Sequence, residues 1–164
     1  MKSAFYIAIV VFFLLNSGKI ASQEMNTKEL GKIIYILADS LRGSAGNWQF
    51  VIKDRLLLCV TDDTNNRMRI MSPIIEQKKL AYTDMLKVME ANFHTALDVK
   101  YAISNDLLWS VFIHPLQELN KEQVVDAIQQ VYFAATTYGT TYNSSGLVFP
   151  DRRKEKREEK KKKI

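Results

Sequence analysis

One cysteine, two histidines, three prolines and six glycines are all that 164 residues hold of the groups that usually build disulfides, metal sites and tight loops. The single Cys59 excludes an intramolecular disulfide, so stability must come from packing. Set inside Leu57, Leu58 and Val60, it reads as a small buried hydrophobe rather than a reactive thiol. His94 and His114 stand far apart in sequence, and no cysteines or acids are grouped with either, which leaves no metal set and no general base with an evident nucleophile. Ser110 lies in no strand-turn-helix elbow. The residues 62–66, DDTNN, have the acids of a calcium loop but place Arg67 at its glycine position and Pro73 at its bidentate acid. No catalytic residue, no metal and no cofactor is expected, and the chain is not read as an enzyme.

Long apolar runs are equally scarce. The exception is residues 4–15, preceded by Lys2 and followed by the small and polar residues 16–22, which is the order of a secretory signal peptide. About a dozen apolar residues fall short of the ~20 that span a bilayer. Residues 1–22 are therefore expected to be a signal peptide, the mature chain to carry no transmembrane segment, and the protein to be exported, periplasmic or secreted.

The formal charge of +5 is concentrated at one end. Residues 151–164 hold nine Lys or Arg against four acids, whereas residues 23–150 carry 12 basic and 14 acidic side chains. The body is mildly acidic, which argues against a nucleic-acid-binding face. The tail, through Arg152, Arg153, Lys160, Lys161, Lys162 and Lys163, offers a tether to an anionic lipid or glycan, with the folded body then serving another role. The triplet Asn143-Ser144-Ser145 matches a glycosylation acceptor.

Between these ends the hydrophobic spacing predicts α-β-β-β-α-β-β-α, an α+β domain over residues 23–150 with an antiparallel five-stranded sheet covered by its helices. Leu30, Ile33, Ile34, Leu37 and Leu41 fall on one stripe of a first helix that Asn26 caps and the glycines after Arg42 stop. Residues 48–53, 56–61 and 67–72 alternate as three strands, the last ended by Pro73. Tyr82, Met85, Leu86, Met89 and Phe93 make the stripe of a second helix. A hairpin follows, turning at Asn105-Asp106, where positive φ is wanted. Asn120 and Gln123 cap a third helix bearing Val124, Ile128 and Val131 and closed by Gly139. Tyr142, Leu147 and Phe149 are then available to pack back on the body.

Residues 107–113 are apolar on both faces: Leu108, Ser110 and Phe112 on one, Trp109, Val111 and Ile113 on the other. One face belongs under the chain's own helices. The other needs a further helix or a second chain: the first reading is a central strand covered by the chain's own helices, the second a homodimer or client surface in which Leu108 and Phe112 are sheltered by a partner. Arg67 and Arg69, two residues apart on a strand, share a face and can fork onto a partner carboxylate. With Met85, Met89, Leu108, Trp109 and Phe112 they are the candidate partner-binding residues.

The segments NRMRIMSPI at residues 66–74, LKVMEANF at 86–93 and DVKYAISNDLLWSVFIHPLQELNKEQ at 98–123 resemble the type III secretion chaperone-like fold, which includes the CesT-type Tir chaperones and the YbjN-domain proteins. The resemblance spans residues 48–149 and extends to the order of elements. It implies a homodimeric α+β protein that binds polypeptides by holding an extended segment against apolar patches and strand edges, with no catalysis and no cofactor. An exported, chaperone-like protein-binding module is the resulting expectation.

Overall fold

Asn26 begins the first helix by leaving its own backbone extended (φ −141°, ψ 169°) while its side chain accepts the amide of Glu29 at 3.0 Å. In the computed structural model, which describes residues 24–145, α1 spans Thr27–Leu37 and buries Leu30, Ile33 and Ile34. The signal-peptide segment, Leu147, Phe149 and the basic residues Arg152, Arg153, Lys160, Lys161, Lys162 and Lys163 lie outside the described residues.

The helix stops four residues short of Leu41, because Leu41 belongs to a strand, β1 (Ser40–Ser44). A residue eleven places along a helical stripe also suits an alternating strand, and spacing alone does not separate the two. The glycines expected to end a helix instead build a hairpin. Gly43 sits at φ +107°, where an added Cβ would lie 2.2 Å from the Asn47 carbonyl oxygen, and Gly46 at φ +86° helps turn the chain into β2 (Asn47–Ile52). The sheet accordingly has six strands, not five.

β3 (Arg55–Asp62), β4 (Arg67–Glu76), α2 (Tyr82–His94), β5 (Lys100–Ser104), β6 (Leu107–His114) and α3 (Lys121–Thr136) follow. In space the strands run β1-β2-β3-β4-β6-β5, every neighbouring pair antiparallel. Asn105 and Asp106 turn the last hairpin at φ 49° and 58°, as their residue types predict. Asn120 and Gln123 form the reciprocal cap of α3, at 2.9 Å in each direction. The helix ends at Thr136, ahead of Gly139, whose φ of +80° falls in the following turn.

Pro73 does not end its strand. β4 continues to Glu76 through a bulge, Pro73 standing opposite Trp109 and Ile75 opposite Leu108. The proline is tolerated because β3 pairs with β4 only as far as Met71, so no partner amide ladder is broken on that side.

One face of the sheet supplies Phe50, Leu57, Cys59, Met68, Ile70, Leu108 and Phe112 to a core closed by α1 and α3. α2 lies against β5. The inner face of β6 is covered by the chain's own helix, the first of the two readings, so Leu108 and Phe112 are not partner-binding residues. Leu108 and Phe112 are 1% and 5% exposed, and Ser110 between them donates to the Val131 carbonyl of α3 at 2.9 Å, which fixes that face beneath α3. Trp109, Val111 and Ile113 look outward.

Candidate protein-docking surfaces

The outward face carries no helix among the described residues, yet it is not polar. Register places its side chains in rows. Val60, Arg69 and Ile113 lie side by side on β3, β4 and β6; Leu58, Met71 and Val111 form the next row, and Trp109 with Ala102 a third. Leu56, Val60 and Ile113 are 41%, 42% and 55% exposed. A solvated face of an antiparallel sheet ordinarily alternates to polar residues, so this apolar surface is a candidate contact surface.

Arg67 and Arg69 bound one end of it. Both are exposed on this face, at the rim of a shallow depression of about 250 Å³ whose apolar part is Val60, Met71 and Ile113. The Arg67 guanidinium donates to the Asn66 carbonyl at 3.3 Å, and Arg69 stands between Val60 and Ile113. An extended segment laid across these rows would meet apolar side chains, with the two guanidinium groups and the Asp62 carboxylate opposite Arg67 at one end. Trp109 is half-buried on the same face, its indole N–H donating to the Ser104 carbonyl at 2.9 Å. That bond ties the ring to the β5–β6 hairpin.

α2 offers a second apolar surface. Its buried side is Val88 and Ala91, with Met85 half-buried beside them. Tyr82, Leu86, Met89 and Phe93, at i, i+4, i+7 and i+11, form a stripe on the opposite side, and Met89 and Phe93 are 65% and 85% exposed. Sequence spacing found this stripe without showing which way it faces. A stripe of one sign of hydropathy has the same period whether it points to the core or to water. The exposed Leu56, Val60 and Ile113 were missed for a related reason. The two-sided apolarity of β3 and β6 was visible, but the side left open depends on where α3 crosses the sheet. Of the expected partner-binding residues, the structure therefore brings Arg67, Arg69 and Trp109 to the open sheet face, leaves Met89 on the α2 stripe with Met85 at its margin, and buries Leu108 and Phe112 in the core.

The groups with chemical potential are occupied elsewhere. Burial pushes the Cys59 thiol up to about 12, so it stays protonated and unreactive. His114 stacks on Phe112 at 5.8 Å with a ring nitrogen 2.8 Å from the Pro115 carbonyl, while His94 meets the edge of Phe93 at the end of α2. In the acidic loop after β3, the Asp62 carboxylate takes both amide groups of Asn65, at 3.0 and 2.7 Å, which hold it below the usual carboxylate range. Asp63 accepts the Thr27 amide at 2.9 Å and so ties that loop to α1. Ser144 of the glycosylation triplet is fully buried. No helix of the described residues is long and apolar enough to cross a membrane.

No family model matches the sequence, and no curated protein matches it either. Solved structures do match the fold. The HopA1–SchA chaperone–effector complex is similar at 8% identity with a TM-score of 0.51, covering 68% of this chain and 88% of that one. The Yersinia pestis type III secretion chaperone SycH, solved with a stable fragment of YscM2, is similar at 9% identity and a TM-score of 0.52, covering 69% and 98%. The ExsC–ExsE complex is similar at 10% and 0.52, covering 66% and 90%. The chain thus has a type III secretion chaperone-like fold.

Proposed function

We propose that this protein is a non-enzymatic, chaperone-like module that holds an extended polypeptide against its open sheet face, and that it acts after export as a homodimer. The observation that carries the reading is the apolar face of Leu56, Val60, Met71 and Ile113, left without a helix and bounded by Arg67 and Arg69. An extended chain matches such a surface because its alternate side chains point one way, at the spacing of the rows. The two guanidinium groups favour a segment carrying an acidic residue at one end. The likeness to structures of chaperones with effectors supports the same reading at the level of the fold.

The exposed stripe of α2 supplies a separate surface for a second copy. Four large side chains in one line are self-complementary about a two-fold axis, the commonest symmetry of soluble oligomers. Each could contribute on the order of 1.5–3 kcal/mol on full burial, before the cost of association is deducted.

A photo-reactive residue at Ile113 tests the sheet-face reading. In the full chain, expressed in a host that exports it, position 113 should cross-link to polypeptide while Lys32 on α1 does not. Equal labelling at both positions, or unchanged cross-linking after Val60→Asp in a chain that still melts cooperatively, would overturn it.

A further inference from the structure

α2 is attached to the body with little apolar burial. It lies against β5, an edge strand, and of its 13 residues only Val88 and Ala91 are buried. A helix of that length is marginal alone in water, and two small side chains add little to hold it. What ties it down is polar. At its C-terminal end the Lys100 ammonium donates to the carbonyls of Asn92, Ala96 and Leu97, at 3.1, 2.8 and 2.6 Å, and the Asn92 side chain bonds both backbone groups of Tyr101.

The chain comes back to α2 after α3. Residues 137–144 fold onto the end of α3, where the Tyr142 amide donates to the Thr137 carbonyl and the Thr137 hydroxyl to the Asn143 carbonyl, at 3.1 and 2.7 Å. From there the arm crosses to α2. The Thr95 hydroxyl donates to the Tyr142 carbonyl at 2.7 Å, the Ser144 amide to the Thr95 carbonyl at 3.3 Å, and the Leu97 amide to the Ser144 hydroxyl at 2.8 Å. The Tyr142 side chain reaches further along the helix, its hydroxyl donating to the Asp84 carboxylate at 3.2 Å and its ring centroid 5.9 Å from the Lys87 ammonium. Tyr101 and Tyr138 meet that ring edge-on. Tyr142 itself holds a φ of +53°, a left-handed backbone that is costly for a bulky side chain and persists only while its surroundings enforce it. Strain held at the joint between two elements favours their parting.

We propose that α2 is a lid over the outer edge of β5 and that residues 137–144 are its latch: α2 leaves the sheet as one unit when Tyr142 releases it, while α1, α3 and the sheet stay folded. Open, the lid bares the backbone N–H and C=O of Tyr101 to an added strand; closed, it denies them. A partner that binds the exposed stripe of α2 better in one position of the lid than in the other shifts that balance. This inference stands independently of the function proposed above, which uses the open sheet face and does not need the lid.

Native-state amide hydrogen exchange on the full chain tests it. The amides of residues 88–94 and those of Leu97, Tyr101 and Ser144, whose bonds cross the seam, should share one protection factor, at least about tenfold below that of residues 128–131 in α3. Tyr142→Ala, which takes away the ring and the Asp84 bond together, should lower the shared factor by about tenfold or more and leave α3 unchanged. Thr95→Val removes one seam bond without touching that ring and should act in the same direction, so the proposal is decided even where the alanine variant does not fold. α2 protected as strongly as α3 in the unaltered chain overturns the proposal, because the helix then opens only with the whole molecule. So does a loss of protection, in either variant, that α2 and α3 share equally.

Discussion

Asn92 holds the outer edge of β5 at Tyr101. Its side-chain oxygen accepts the Tyr101 amide at 2.7 Å and its nitrogen donates to the Tyr101 carbonyl at 3.1 Å. One amide side chain on α2 thus reproduces the pair of bonds that a neighbouring strand would make, and the edge is shielded without any strand being there. Asn92→Ala should cost about 1–3 kcal/mol, because two backbone groups lose their partners. Urea denaturation measures the loss, and light scattering should show added self-association through the bared edge. A midpoint equal to that of the unaltered chain would mean that water replaces Asn92 without penalty.

The α2 stripe separates association from stability. Phe93 is 85% exposed in the single chain, so Phe93→Glu with Met89→Glu should leave the unfolding free energy of the protomer within about 0.5 kcal/mol. The same pair should convert the proposed dimer to a monomer in size-exclusion chromatography with light scattering. A dimer that survives both changes uses another surface.

Gly43 tests the hairpin that adds the sixth strand. An alanine there combines a φ of +107° with a Cβ 2.2 Å from the Asn47 carbonyl oxygen. Gly43→Ala should therefore destabilise by at least ~1–3 kcal/mol, the range of a strained backbone position, and Gly139→Ala, where nothing stands within 4 Å, should cost less. Thermal melts of the two variants side by side give the comparison. Equal shifts would show that the close approach to Asn47 relaxes freely.

Alkaline pH should unfold the protein through its buried acids. Burial raises the Cys59 thiol from 9.0 to about 12 and, as the leading cause, the Tyr101 hydroxyl from 10.0 to about 12. Each is neutral in the fold and ionises more readily once unfolded, so between pH 9.0 and about 12 the native state holds more protons than the unfolded one. Stability then falls as pH rises through that window, and neither group affects the pH slope below it. A denaturation series from about pH 8 to about pH 11 should show the decline, with Cys59→Ala flattening its onset. An unchanged slope in that variant would remove Cys59 as a source. The native thiol should also resist alkylation until denaturant is added.

Much of the fold is legible in the amino-acid order where local chemistry and tertiary context agree. Asn26, Asn120 and Gln123 cap the helices they were expected to cap, and Asn105 with Asp106 turns the hairpin they were expected to turn. Leu41 is the instructive failure: it satisfies a helical stripe and a strand equally, and only the geometry of Gly43 against Asn47 decides between them. Pro73 fails differently, because its cost depends on whether the neighbour strand pairs with it at that level, and the β3–β4 ladder stops at Leu58 opposite Met71. The docking surfaces were half legible. The positions of Arg67, Arg69 and Met89 followed from period alone, whereas which face of β6 is open follows from Ser110 reaching α3, a contact between residues 21 apart.

The placement of α3 also sets an order of events. The last helix supplies Val124, Ile128 and Val131 to the core and packs on both the first helix and the middle strands. A chain made from its N-terminus therefore has only α1 to cover the inner sheet face until residues 121–136 exist, and Gln130, which fixes the approach to β5, arrives in the same stretch. Contacts that join the two ends of a chain are slow to form, because loop closure comes before the contacts repay it. The core is therefore complete only once residues 121–136 are in place.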